Sequence, residues 1–166
     1  MMPRRLLRDS MQEIERKYLI IDESWRGEVV RAMRIAQGYL CSRRVTARVR
    51  VCDDRGILTF KSKSRDGGLS RFEWEREIPL GVAERLLARC SGVIDKVRHI
   101  VEHEGHIFEI DEFHGENAGL IVAEVELSSC DEKVALPAWI GDEVTGVKCF
   151  YNSFLTKHPF KSWTKK

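Results

Sequence analysis

Glu13, Glu15 and Lys17 occupy alternate positions, and the same spacing recurs in Arg48 and Arg50, Lys61 and Lys63, Glu73 and Glu75, Lys96 and Arg98, and Glu124 and Glu126, with Asp111 ahead of the last pair. Carboxylates at this density suit hard divalent cations such as magnesium, which keep positions open for water and for substrate phosphate. Arginine grips phosphate oxygens with a two-pronged guanidinium, and lysine acts as a point charge. Together these residue types offer metal-assisted chemistry on a polyanion. Any single pair also reads as a solvated strand edge, or as a cross-strand ion pair worth about 0.2–1 kcal/mol. Repetition favours a shared site, because charges turned into a narrow lumen cost several kcal/mol per ion unless metal, water or ligand compensates. Lys63 and Glu77 share the parity but fall at strand ends, so they read as rim residues.

A period of two requires strands, whose side chains alternate between faces. Ile14 and Tyr18, Val49 and Val51, Leu58 and Phe60, Phe72 and Trp74, Val97, Phe108 and Ile110, and Val125 and Leu127 make the opposite face and predict a core there. Strands are predicted over 13–21, 37–41, 46–52, 57–63, 69–78, 93–103, 106–113 and 120–127, with turns at Asp53–Gly56, Gly67–Gly68, Gly105 and Gly115–Gly119. Trp25, Val29, Val30 and Met33 have roughly helical spacing. Val82, Leu86, Leu87 and Cys90 predict a helix over 82–90 that covers the outside of the sheet. Short helices are predicted over 131–136 and 151–157. Eight mostly antiparallel strands point to a barrel or a strongly curved sheet.

With 166 residues, 43% hydrophobic and 33% charged, the chain suits one domain over 11–160, preceded by a flexible basic extension over 1–10 and followed by a tail over 161–166. The 28 basic and 26 acidic residues are too evenly balanced to argue for a nucleic-acid partner. Five cysteines, odd in number and without a CxxC pair, suggest neither a disulfide framework nor a thiolate zinc site, and a reducing cytoplasm is the simplest compartment. The first ten residues lack the apolar run of a signal peptide, and no segment has the length of a membrane span. His99, His103, His106, His114 and His158 show neither metal spacing nor a nucleophile–base arrangement.

The stretches EIERKYLI (13–20), QGYL (37–40), Arg48-Val49-Arg50, LTFK (58–61), RFEWE (71–75), Lys96-Val97-Arg98, Asp111 with Phe113, Glu124-Val125-Glu126 and WIGDEVT (139–145) form an ordered series. By that series the chain resembles the CYTH domain, or triphosphate tunnel metalloenzyme, superfamily, and above all its short bacterial members. The resemblance implies an α+β fold: a closed antiparallel eight-stranded β-barrel forming a tunnel, with helices packed outside and a carboxyl-terminal helix near one mouth. It implies hydrolysis of inorganic triphosphate to pyrophosphate and phosphate with Mg2+ or Mn2+. Glu13, Glu15, Glu124 and Glu126 would hold metal, while Lys17, Arg48, Arg50, Lys61, Lys96 and Arg98 would cradle phosphate. Glu73, Glu75 and Asp111 would place a second metal or the attacking water, with Lys17 also acting in catalysis. Other readings on the same scaffold are a nucleoside or thiamine triphosphatase, a class IV adenylate cyclase, and a non-catalytic polyphosphate-binding module. The expected partner is a small triphosphate-containing substrate, without nucleic acid or membrane, and a homodimer is left open. Two positions depart from the family pattern: His99 where a Tyr is common, and Cys149 where a basic residue is common.

Overall fold

The computed structural model describes residues 11–40, 46–61 and 70–163; for 11–13, 46, 61 and 70–73 it describes the backbone alone. The predicted extension over 1–10, the turn at Gly67–Gly68 and Lys63 lie outside the described residues.

The strands are β1 (Met11–Ile20), β2 (Val29–Leu40), β3 (Thr46–Cys52), β4 (Arg55–Lys61), β5 (Ser70–Ile78), β6 (Val93–His103), β7 (His106–Phe113), β8 (Ile121–Leu127) and β9 (Ile140–Glu143). Two helices, α1 (Leu80–Leu87) and α2 (Asn152–Leu155), complete an α+β architecture. All strand pairs are antiparallel, in the order β5-β4-β3-β2-β6-β7-β8-β1-β9. β1 meets β8 along Ile14–Leu19, and its other side is divided between β5, at Met11–Ile14, and β9, at Tyr18 and Ile20. Pairing of β1 with β5 brings the two ends of the eight-strand series together around a tunnel.

The hairpin β6–β7 matches the sequence reading residue for residue, because Glu104 and Gly105 both adopt positive φ in its two-residue turn. Three expectations need correction. The helical spacing of Trp25, Val29 and Met33 is misleading: a 3-10 turn covers only Ser24–Glu28, and β2 begins at Val29, eight residues before the predicted start at Gln37. Pairing with β6 from Val29 to Gly38 overrides the local pattern. The expected helix over 131–136 is absent; the Glu132 carboxylate accepts from the Ser128 N–H and meets His106, while Val134 packs on the core as irregular chain. β9 is a ninth strand with no counterpart in the sequence reading, four residues being too short for an alternation signal.

Helices cover only part of the outside. α1 lies on β3 and β4, where Gly56 gives the room: a Cβ there would stand 2.6 Å from the Ala83 Cβ. Over β1, β6, β7 and β8, the outer core of Tyr18, Val101, Phe108, Ile110, Ala123 and Val125 is closed by Trp25, from the 3-10 turn, and by Trp139, not by an α-helix. Full burial of Val101, Phe108, Ile110 or Val125 contributes about 1.5–3 kcal/mol each. A second apolar cluster has the parity of the charged residues and therefore lies inside. Ile94, Phe113, Leu120 and Val122 meet Leu155 there, with Leu19, Phe150, Phe160 and Trp163 packed against them. The carboxyl-terminal segment thus plugs one end of the tunnel.

Candidate active site

Above the plug, the inner face is lined with charge. β1 supplies Glu15 and Lys17, β3 Arg48 and Arg50, β5 Glu75, β6 Lys96 and Arg98, β7 Asp111, and β8 Glu124 and Glu126, so all the described predicted residues converge. The side chains of Glu13, Lys61 and Glu73 lie outside the described residues; along the backbone Lys61 stands opposite Glu73, and Glu13 opposite Arg71. Glu77 is an exposed rim residue, as expected, paired with Arg55.

One wall is a continuous chain of alternating charge. Lys96 and Asp111, both fully buried, form an ion pair, and Arg98 binds the same carboxylate with two prongs, Nε to Oδ1 and Nη2 to Oδ2, each at 2.7 Å. Arg98 Nη2 also donates to Glu124 at 3.0 Å, and Glu124 in turn meets Lys17 Nζ at 2.8 Å. The Lys17 backbone is fixed from outside the barrel series: its N–H donates to Thr145 Oγ1 at 3.0 Å and its carbonyl accepts from the Val144 N–H at 2.8 Å. Nζ of Lys17 reaches the Phe150 carbonyl at 3.4 Å, which ties it to the plug.

The sequence reading overlooked Glu109, whose carboxylate ion-pairs with Arg98 Nη1. Its signal was present, since it lies two positions before Asp111 on the same strand face. Thr59, also overlooked, accepts from Arg48 Nη2 at 3.2 Å and donates to Glu75 at 3.1 Å.

Charge and burial shift these groups in opposite directions. Burial alone would raise Asp111 and Glu124; Arg98 and Lys96 hold Asp111 below its ordinary value, and Lys17 and Arg98 hold Glu124 well below. Burial opposes the charge of Arg98, yet Asp111 and Glu109 keep it well above the usual arginine value. Lys96 is different: burial brings its ammonium down to about 8 in spite of Asp111. On the other wall, burial and then the neighbouring Arg48 and Arg98 lower Arg50 to about 10, and its buried Nε has no hydrogen-bond partner among the described residues. A cation excess of this kind calls for an anion.

Glu15 and Glu126 stand directly opposite each other across β1 and β8, a like-charge arrangement that a cation relieves. Among the described residues, no group of three or more His, Cys, Asp or Glu side chains is already gathered as a metal cage. His99 faces outward, edge-on to Trp25 at 4.9 Å and 3.0 Å from Glu112, so this departure from the family pattern changes packing and not the lumen.

A model of the CYTH domain matches residues 11–151. The chain belongs to the CYTH family. It is 39% identical over 155 residues to an inorganic triphosphatase of Acetivibrio thermocellus, covering 92% of this chain and 97% of that protein. An inorganic triphosphatase of Nitrosomonas europaea is 34% identical over 149 residues, covering 87% of this chain and 97% of the relative. The crystal structure of an inorganic triphosphatase superposes with a TM-score of 0.63 at 30% identity, over 87% of this chain and 93% of that one. The CYTH match ends at Tyr151, so the plug residues Leu155, Phe160 and Trp163 lie beyond it. No helix among the described residues is long and apolar enough to cross a membrane.

Proposed function

We propose that this CYTH domain hydrolyses inorganic triphosphate to pyrophosphate and phosphate within the tunnel. The observation that carries the reading is the inner-face cluster of buried Lys17, Arg48, Lys96 and Arg98 with the half-buried Arg50, whose pKa is held below its ordinary value by desolvation and by two like charges. Such a cluster is stabilised by a compact polyanion and becomes a set of fixed dipoles and charges aimed at the phosphoryl oxygens, where negative charge builds during transfer. Arg48, Arg50, Arg98 and Lys61 form the cradle in this reading, and Lys17 lies at its end toward the plug. The two inorganic triphosphatases that match nearly the whole chain favour the same substrate.

A divalent cation fits the donor set, because Glu15 and Glu126 oppose each other with hard oxygen ligands and Glu13 follows the parity of Glu15. Glu13, Glu15 and Glu126 would hold it, with Glu124 lending an oxygen beside Lys17; Mg2+ or Mn2+ would supply Lewis-acid stabilisation and lower the pKa of a bound water. Glu73 and Glu75 are the carboxylates proposed to orient the attacking water. Asp111, enclosed by Lys96 and Arg98, acts as a positioning residue for those cations.

The test is phosphate release from triphosphate, ATP and thiamine triphosphate, each with magnesium, manganese or chelator. Release from triphosphate that requires metal, and exceeds release from the two organic triphosphates, is the expected result. Failure to release phosphate from triphosphate with either metal would overturn the reading.

A further inference from the structure

Arginine has five N–H donors, and four of those on Arg98 are engaged before any substrate is present. Nε and one Nη2 hydrogen go to Asp111, the other Nη2 hydrogen to Glu124, and Nη1 to Glu109. A cradle residue in this state has one Nη1 hydrogen left for a phosphate oxygen, and a second, two-pronged contact requires it to give up a carboxylate. The three candidates are unequal. The Asp111 side chain has no exposure and is also bound by Lys96; that of Glu124 is 13% exposed and also bound by Lys17; that of Glu109 is 32% exposed, and Arg98 is its ion-pair partner. Glu109 further stands directly opposite Glu124 across β7 and β8, and Arg98 is the cation that bridges these two like charges. When the guanidinium turns toward a phosphate, that bridge weakens and the two carboxylates repel, which moves the more exposed one away.

We propose that Glu109 is the internal occupant of the Arg98 phosphate site: its carboxylate holds the open edge of the guanidinium, yields to triphosphate and returns as product leaves. It thereby sets the affinity of the tunnel for polyanions. The inference rests on the triphosphatase reading for its substrate, and on the Arg98 geometry for its residue. It assigns Glu109 a competitive role, distinct from metal binding and from water activation.

Glu109→Gln keeps the shape and removes the competing charge. Steady-state hydrolysis of inorganic triphosphate, inhibition by pyrophosphate, and calorimetric binding of triphosphate in chelator are compared with wild type. Losing a charged hydrogen-bond competitor should lower KM, the pyrophosphate Ki and the metal-free Kd together, by about tenfold. A merely structural role would not tighten product inhibition. Unchanged or weaker affinity in a variant that melts within a few degrees of wild type overturns the proposal. If Glu109→Gln does not fold, Glu109→Asp, which withdraws the carboxylate by one methylene, is read in the same direction with a smaller shift. Wild-type protein that binds triphosphate without hydrolysing it would defeat the hydrolytic reading alone, and the Kd comparison would still decide for or against Glu109. Absence of binding in wild type overturns both.

Discussion

The wall formed by β1, β6, β7 and β8 and the wall formed by β3 and β4 carry the same residue types toward the same lumen, but they accommodate buried charge differently. On the first, Lys17, Lys96 and Arg98 each meet at least one carboxylate, and Asp111, Glu109 and Glu124 are all held by cations. On the second, Arg48 reaches Glu75 at 3.7 Å through a shared Thr59, while Arg50 remains charged under a heavy desolvation cost. Around Asp111 and Glu124 the first wall is a self-neutralised frame that holds its geometry without a ligand. The second holds Arg50 beside the like charges of Arg48 and Arg98, the cation proposed to gain most from a polyanion. Stability and affinity are thus weighted differently on the two walls, with Arg98 the residue proposed to serve both, and the walls should respond differently to substitution.

The largest effect is expected at the centre of the frame. Asp111→Asn leaves Lys96 and Arg98 buried without their shared counter-charge, and should cost about 3–5 kcal/mol of folding stability, read by denaturant unfolding. A loss below about 1 kcal/mol would mean that Asp111 is not the keystone of this wall. On the second wall the sign of the stability effect should reverse. Arg50→Ala is expected to reduce kcat/KM for triphosphate by about a hundredfold, on the scale of losing one preorganised electrostatic donor, while the melting temperature holds or rises as the desolvation cost disappears. A variant that melts lower and keeps its kinetics would move Arg50 from the ligand wall to the frame.

The smallest effect is a pH dependence within the frame. Lys96 titrates near 8 when folded and higher when unfolded, so between about pH 8 and 10.5 the unfolded chain binds more protons. The Lys96 contribution to stability therefore rises as pH climbs through that window, and its burial cost is fully present below it. Asp111 and Glu124 are shifted down, so their contribution is present above their unfolded values and is lost as pH falls through the folded ones. Melting curves from pH 7 to 10 should show the alkaline component in wild type and lose it in Lys96→Met. An identical slope in both would show that Lys96 does not carry it.

Strand parity exposed most of the site, because a period of two is local information: Arg48 and Arg50, or Glu124 and Glu126, show their common face without any knowledge of a partner strand. Pairing is not local. That Asp111 stands opposite Arg98, two residues along β6 from Lys96, depends on the β6–β7 alignment, and so does its enclosure by both cations. Glu109 escaped notice because Phe108 and Ile110 on either side drew the strand toward its apolar reading. The early part of β2 was hidden by a chance helical spacing, and the inner plug by the fact that Ile94, Val122 and Phe113 look like any other core residues until the topology turns them inward.

β1 pairs with β5, β8 and β9, whose residues run from 70 to 143, so its neighbours are made long after it is. During synthesis this strand waits with both edges open while most of the chain is still to come, and a fold with such distant pairings forms slowly. The alternating charges of Glu13, Glu15 and Lys17, the last two of which later face the lumen, make the waiting strand a poor template for pairing with another chain. Residues proposed to meet triphosphate in the tunnel would thus also guard the nascent polypeptide against aggregation.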